Sequence, residues 1–385
     1  MKRVFARIAA VGLAAALLAA AGPKAVGAPP PDPPCRTAIL TDLDTGTVLY
    51  EKEADRQVPI ASITKVMTLL LAFEAMENGK VSLQDIVPVS EHAYNMGGSQ
   101  IWLEPGEQLT LDEMIRAICV ASANDAAVAV AEFIGGSEPA FVAMMNQKAA
   151  ELGMTGTTFC NACGLDQEGH LSTARDVAIM SREILTRYPG ITKYTTIWQD
   201  SLRGGATQLV NTNKLLRRYR GITGLKTGTT GGAGVCISAS ACREGLSLLA
   251  VVLGSSSGAE RFTAATQLLD YGFANYESAP CPPLEGAPLY LAVKGGAAPQ
   301  TALSYAVPGS FLTEKGKGGE LTAQVELPET VIAPVSRGQR VGSVTVRMGD
   351  TVLGEYPIAA ENDIPAMTWR DAMRLLLECL LGRAA

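Results

Sequence analysis

The sequence predicts an α/β fold, helices packed on an antiparallel sheet, followed by a small all-β C-terminal domain. That prediction rests first on element order: strands, helices, strands and a helix succeed one another up to about residue 275. Beyond residue 288 the pattern changes to short apolar alternations punctuated by Gly and Pro. A length of 385 residues is also long against the roughly 100–200 of one domain. The expected organisation is a leader over 1–28, a main domain over 29–277, a β-rich domain over 278–362 and an amphipathic helix over 363–385.

Taken in order, Lys2, Arg3 and Arg7 precede an apolar run over 8–21, and Val26-Gly27-Ala28 supplies small residues for cleavage, the pattern of a secretory leader. The run is short and Ala-rich against the ~20 strongly apolar residues of a bilayer span, which favours cleavage and export. An apolar stretch then ends at Asp44-Thr45-Gly46 and resumes at Val48-Leu49-Tyr50, a hairpin. From Ser62 the spacing is helical, with Val66, Leu69, Leu70 and Phe73 on one face and Asn78-Gly79 as the stop. Thr110-Leu111-Asp112-Glu113 is a capping box that opens a second helix. That helix gives way at Ser122-Ala123-Asn124, which places Ser122 and Asn124 on a loop before a helix ending at Gly135-Gly136. Further helices are expected over 138–152, 173–187 and 261–273, and a second hairpin over 234–241 and 246–253. Pro280, Pro282 and Pro283 mark 277–288 as a linker, and strands are expected near 289–293, 321–325, 331–335 and 341–346. A last helix from about Pro365 carries Trp369, Met373, Leu376, Leu377 and Leu380 on one side.

Removing Lys2, Arg3, Arg7 and Lys24 with the leader takes the formal net charge from −6 to −10. Without a basic tract to neutralise phosphates, the chain is not expected to bind nucleic acid. Its eight cysteines, Cys35, Cys119, Cys160, Cys163, Cys236, Cys242, Cys281 and Cys379, form no disulfide framework. Cys160 and Cys163 are a lone CxxC beside only two histidines, His92 and His170, too few ligands for a closed zinc site, so neither metal nor cofactor is expected. Cys119, Cys236 and Cys242 fall in apolar patterns and are expected to be buried thiols.

Three short motifs carry chemistry: Ser62-Ile63-Thr64-Lys65 at a helix start, Ser122-Ala123-Asn124, and Lys226-Thr227-Gly228-Thr229. Each alone has an ordinary explanation, since Ser62 and Ser122 suit helix caps and Lys226-Thr227-Gly228 suits a turn at the start of a strand. Together and in this order they resemble the three elements of penicillin-binding proteins and serine β-lactamases. The likeness extends to Tyr94-Asn95-Met96-Gly97-Gly98-Ser99, to Asp125-Ala126-Ala127 after the second motif, to Asn211-Thr212-Asn213-Lys214-Leu215-Leu216, to Gly224-Leu225 before the third and to Leu268-Leu269-Asp270-Tyr271-Gly272-Phe273. These segments are similar to the low-molecular-weight D-Ala-D-Ala carboxypeptidases of peptidase family S11, densely over about 35–275 and more loosely in the β-rich tail. A departure lies at Thr229-Thr230, where the family often places His or Tyr after Lys-Thr-Gly; it concerns the pocket rim.

The resemblance implies the penicillin-binding/serine β-lactamase-like transpeptidase fold, a peptidoglycan stem peptide ending in D-Ala-D-Ala as substrate and β-lactam antibiotics as inhibitors. It also implies residence at the outer face of the cytoplasmic membrane or in the cell-wall space. The residues fit. With no histidine near a motif in sequence, Lys65 is the candidate base for the Ser62 hydroxyl. Bringing a lysine from about 10.4 to about 7 requires roughly 4.6 kcal/mol, which burial and the second cation, Lys226, would supply. Ser122 can relay the proton to the departing D-alanine, and Asn124 can hold a substrate amide. Lys226, Thr227 and Thr229 suit a terminal carboxylate, while Gly228 lets the substrate backbone lie close. The resemblance places the oxyanion between the N–H groups of Ser62 and Thr229.

Two other readings compete. A serine β-lactamase of class A resembles its relatives in a Glu-x-x-x-Asn loop, a spacing absent between Ser122 and Lys226. A catalytically weak β-lactam- or wall-sensing module would not need Ser62, Lys65, Ser122 and Lys226 all intact. The last helix either packs on the β domain or anchors peripherally in a membrane, Trp369 and its Leu/Met face in lipid and Arg370, Arg374 and Arg383 at headgroups, although Asp371 and Glu378 leave only +1 over the segment.

Overall fold

A computed structural model describes residues 28–380, so the expected leader, Ala28 apart, and Arg383 lie outside the described residues. The chain forms two compact units, one ending at Tyr276 and one beginning at Glu277. In the first, strands β1 (Thr37–Asp42), β2 (Val48–Lys52), β3 (Ile222–Thr230), β4 (Gly234–Arg243) and β5 (Leu246–Ser255) make one sheet in the order β2-β1-β5-β4-β3. Every neighbouring pair is antiparallel. The first hairpin thus lies beside the last strand, and β3 is left at an edge.

The sheet is covered on both faces, which is why 246–253 reads as a continuous apolar run rather than an alternation. Leu40 and Leu248 face helix α6 (Gly258–Asn275), where a Cβ on Gly272 would come within 2.4 Å of Leu248 Cδ1. Ile39, Leu249, Val251 and Leu253 point the other way, into the main helical core. At the centre of that core runs α1 (Lys65–Glu77), preceded by a 3-10 turn at Ala61–Thr64. The single apolar stripe expected for α1 is too narrow: every residue from Val66 to Ala72 is buried, so the helix is packed all round. Its expected stop is present, with Asn78 as cap and Gly79 at φ +66°.

Helix α2 (Leu111–Arg116) begins with the expected capping box, Thr110 Oγ1 accepting from the Glu113 N–H at 3.3 Å and the Glu113 carboxylate accepting from the Thr110 N–H at 2.9 Å. Over Ala117–Ala121 the turns widen to π-helical, and Ser122 ends them in the left-handed region at φ +60°. Asn124 is therefore not on a loop, as expected from sequence, but is the first residue of α3 (Asn124–Gly135). Helices α4 (Glu138–Glu151) and α5 (Ala174–Arg187) complete the layer. Lys226-Thr227-Gly228 lies inside β3, paired with Ser238, Ile237 and Cys236, so the ordinary alternative of a turn at a strand start does not describe it. Cys119 and Cys236 are buried thiols, whereas Cys242, near the end of β4, is exposed; every cysteine from Cys35 to Cys281 is free.

The second unit is β-rich. Strands β6 (Tyr276–Pro280) and β9 (Ser310–Glu314) pair with each other, so the expected linker opens with a strand. A six-stranded sheet has the order β10 (Leu321–Glu326), β12 (Arg340–Met348), β13 (Thr351–Ala360), β8 (Gln300–Tyr305), β7 (Tyr290–Lys294) and β11 (Thr330–Ile332). Sequence pattern does not reveal β8, β9 or β13: the first two alternate Thr with Leu or Phe inward, and β13 contains Gly354 and Pro357, which argue against a strand. Helix α7 (Trp369–Leu380) leaves Trp369, Met373, Leu376, Leu377 and Leu380 exposed, which goes against the first of its two readings, packing on the β domain.

Candidate active site

Three elements bring the motifs together: the turn into α1, the α2–α3 junction, and edge strand β3. Lys65 is fully buried at the start of α1. Its Nζ lies 2.9 Å from Ser62 Oγ and donates to Asn124 Oδ1 at 2.6 Å and to the Cys163 carbonyl at 2.7 Å. Two of these neighbours can only accept, and the third is a hydroxyl. A neutral amine fills the site completely: its two N–H bonds go to the carbonyls and its lone pair faces the Ser62 hydroxyl. Burial pushes Lys65 down to about 8, while the Cys163 thiol and the Asp125 carboxylate favour the charged form.

Lys226 is equally buried and donates to Ser122 Oγ at 2.7 Å and to the Thr227 carbonyl at 2.9 Å. Burial first and the Lys65 charge second hold it well below the ordinary lysine value. Desolvation is the largest cause at both lysines, and the repulsion between their charges is mutual, so it disfavours having both charged at once. Thr227 Oγ1 lies 2.6 Å from Thr212 Oγ1, and Thr229 Oγ1 donates to the Gly228 carbonyl at 2.8 Å.

At Asn124, the residue expected to hold a substrate amide, each end of the side-chain amide has a protein partner, and the Nδ2 group carries a second N–H besides the one so used. Oδ1 accepts from Lys65, and Nδ2 donates to the Gly97 carbonyl at 2.6 Å. It orients Lys65 and ties down the 97–99 segment, whose Ser99 carbonyl accepts from the Asn124 N–H at 2.7 Å.

Two glycines make room around the Ser62 N–H. A Cβ on Gly228 would lie 2.8 Å from Ser62 N, and one on Gly164 would lie 2.9 Å from the same atom and 1.9 Å from the Ala61 carbonyl oxygen. Gly164 is also at φ +87°, a conformation L side chains rarely adopt. The expectation that no histidine lies near a motif is corrected in space: His170 Nε2 is 2.7 Å from Thr64 Oγ1, inside the first motif. It is no base. Its Nδ1 accepts from the Cys160 N–H at 3.0 Å, burial pushes it down to about 4, and Thr64 in turn donates to the Ala61 carbonyl at 2.9 Å.

Sequence reasoning missed two contributors. Asn161 gathers the 161–165 turn, its Oδ1 accepting from the Gly164 N–H at 2.7 Å, and so aims the Cys163 carbonyl at Lys65. Arg261 donates through Nη1 to the Gly228 and Cys236 carbonyls, both at 3.2 Å, and burial pushes it down to about 10. A cation one turn before Ala264 and Ala265, on the buried face of α6, is the signal that could have marked it.

Residues 24–257 match the family model of D-alanyl-D-alanine carboxypeptidase, peptidase S11, and residues 288–366 match that of the C-terminal domain of penicillin-binding protein 5. The chain is 43% identical over 333 residues to D-alanyl-D-alanine carboxypeptidase DacF of Bacillus subtilis, covering 86% of this chain and 85% of that protein. Among solved structures it is similar to penicillin-binding protein 5 from Haemophilus influenzae, with a TM-score of 0.75, 29% identity, and coverage of 88% and 100%. It is also similar to the ampicillin-bound form of penicillin-binding protein D2 from Listeria monocytogenes, with a TM-score of 0.58, 31% identity, and coverage of 64% and 100%.

Replacing Gly164 by Ala is expected to displace Ala61 and Ser62 and to slow acylation of Ser62 by a fluorescent penicillin at least ~10-fold, since a misplacement of about 1 Å can cost ~100-fold. An acylation rate within twofold of the parent would show that this contact does not set the Ser62 position.

Proposed function

The chain belongs to the D-alanyl-D-alanine carboxypeptidases of peptidase family S11, and from that membership we propose that Ser62 removes the terminal D-alanine of peptidoglycan stem peptides through an acyl-enzyme, with β-lactams acylating the same residue. The observation that carries this reading is Lys65 Nζ, buried, 2.9 Å from Ser62 Oγ and otherwise surrounded by carbonyl acceptors.

Lys65 takes the Ser62 proton as Oγ bonds to the carbonyl carbon of the penultimate D-alanine. The oxyanion settles between the N–H groups of Ser62 and Thr229, and a donor of this kind is typically worth ~100–1,000-fold. The C–N bond then breaks, and the proton passes through Ser122, itself bonded to Lys226, to the departing amine. Lys65 next deprotonates the water that hydrolyses the ester. Lys226, with Thr227 and Thr229 beside it on β3, supplies the cation and hydroxyls for the terminal carboxylate of the substrate.

The same reading places the protein outside the cytoplasm, at the outer face of the cytoplasmic membrane. It is supported by the secretory pattern of the N-terminal sequence and by the exposed apolar side of α7, whose Trp369 and Leu380 are 73% and 75% exposed. Among the described residues no single helix is long and apolar enough to cross a bilayer, so the contact proposed for α7 is peripheral.

Ser62→Ala is expected to abolish both D-alanine release from a diacetylated Lys-D-Ala-D-Ala peptide and labelling by penicillin; undiminished release would end the proposal. Because Lys65 acts when neutral and is lowered to about 8, kcat/KM should rise with pH towards about 8 and fall beyond its maximum as Lys226, itself held below the ordinary lysine value, loses the charge that meets the terminal carboxylate. A profile flat from pH 6 to 9 would remove Lys65 from the role of base. Deleting 365–385 should shift the protein from the membrane to the soluble fraction while leaving peptide turnover intact, and unchanged partitioning would remove α7 as the anchor.

A further inference from the structure

Resting on the carboxypeptidase reading, one carboxylate outside the three motifs has a place in the reaction. Edge strand β3 ends at Thr230, paired with Gly234, and turns into β4 through Gly231-Gly232-Ala233. Two successive glycines give this turn maximal backbone freedom. The residue before Thr230 is Thr229, whose N–H must stay aimed at the oxyanion. Asp166 reaches this turn from the segment that follows Asn161. Its Oδ1 accepts from Thr230 Oγ1 at 2.6 Å and its Oδ2 from the Gly232 N–H at 2.9 Å. Thr230 Oγ1 accepts in turn from the Ala233 N–H at 3.1 Å, which closes the turn on itself.

The anchor of Asp166 is as fixed as the turn is loose. Two residues back, Gly164 lies against Ala61 and Ser62, and one residue further back the Cys163 carbonyl accepts from Lys65. Asn161 holds Leu165 at both backbone atoms, donating to its carbonyl at 3.0 Å and accepting from its N–H at 3.2 Å. On the other side of β3, Arg261 holds the Gly228 carbonyl. We propose that Asp166 is a positioning residue for acyl transfer: it latches the end of β3 to the turn that carries the acceptor of Lys65, and so fixes the Thr229 N–H relative to the Ser62 nucleophile.

The test compares the wild-type chain with Asp166→Ala and Asp166→Asn. It measures kcat and KM for D-alanine release from diacetyl-Lys-D-Ala-D-Ala, per site titrated to completion with fluorescent penicillin, together with the penicillin acylation rate. Asp166→Ala should lower kcat per titrated site and the acylation rate together, by ~10–100-fold, the scale of a misplaced oxyanion donor, with KM within about threefold. Asp166→Asn should recover both rates to within about threefold of wild type, because an amide accepts from the Gly232 N–H and donates to the Thr230 hydroxyl. The proposal is overturned if Asp166→Ala keeps its rate per titrated site, if the loss lies in KM alone, or if the Asn variant is as slow as the Ala variant. The acylation rate is read independently of D-alanine release. A wild-type chain that acylates but releases no D-alanine would sink the carboxypeptidase reading and leave the latch to be judged on acylation.

Discussion

The site depends on burying the Lys65 side-chain nitrogen among carbonyl oxygens instead of carboxylates. A carboxylate in hydrogen-bond contact would hold the lysine charged, and a charged lysine cannot accept a proton. The closest candidate is Asp125, buried and adjacent to Asn124 in sequence, yet its oxygens turn to the N–H groups of Ile101, Leu103 and Ala126 at 2.9–3.2 Å. The start of α3 thereby separates two jobs between neighbouring residues. Asn124 supplies a neutral acceptor to the base, and Asp125 spends its charge on backbone donors of the 101–103 segment.

Keeping that nitrogen dry constrains the rest of the first unit. Helix α1 must be surrounded, and it is, with Thr68 Oγ1 donating to the Ala162 carbonyl at 2.6 Å in the one polar contact its buried middle makes to the 161–165 turn. That turn must also press against Ala61 and Ser62, which only a glycine at 164 permits, and β3 must approach from the opposite side, which only a glycine at 228 permits. Ser62 is therefore held by backbone from two directions and by its own turn, while its hydroxyl is left to the lysine.

The motif residues were legible in the sequence because they act through side chains at short spacings: Ser62 with Lys65, Ser122 with Asn124, Lys226 with Thr227. The antiparallel sheet was legible because β4 and β5 are long apolar runs joined by Glu244-Gly245, both at positive φ. What stayed hidden acts through backbone or across long separations. The acceptor on Cys163 is a carbonyl, which any residue would supply. His170 reads as a lone histidine until it meets Thr64, 106 residues away. Asn124 reads as part of the loop because the break at Ser122 and Ala123 is only two residues long and its end has no sequence pattern of its own. In the second unit, β13 was lost to Gly354 and Pro357, residues that ordinarily argue against a strand and here fall within one.

The two lysines finally make opposite demands on one low-dielectric space. Both are buried, and with no carboxylate in contact neither favours its charged form. On the proposed reading, substrate resolves the conflict unequally: a terminal carboxylate beside Thr227 and Thr229 stabilises the Lys226 ammonium, whereas a peptide carbonyl at Ser62 brings no charge to Lys65. The cation then sits next to Ser122, the donor to the leaving amine, and the neutral base next to the nucleophile. A substrate whose C-terminus is amidated would leave both lysines as they were, so the preference for a free carboxylate is built into the protonation of the site as well as its shape.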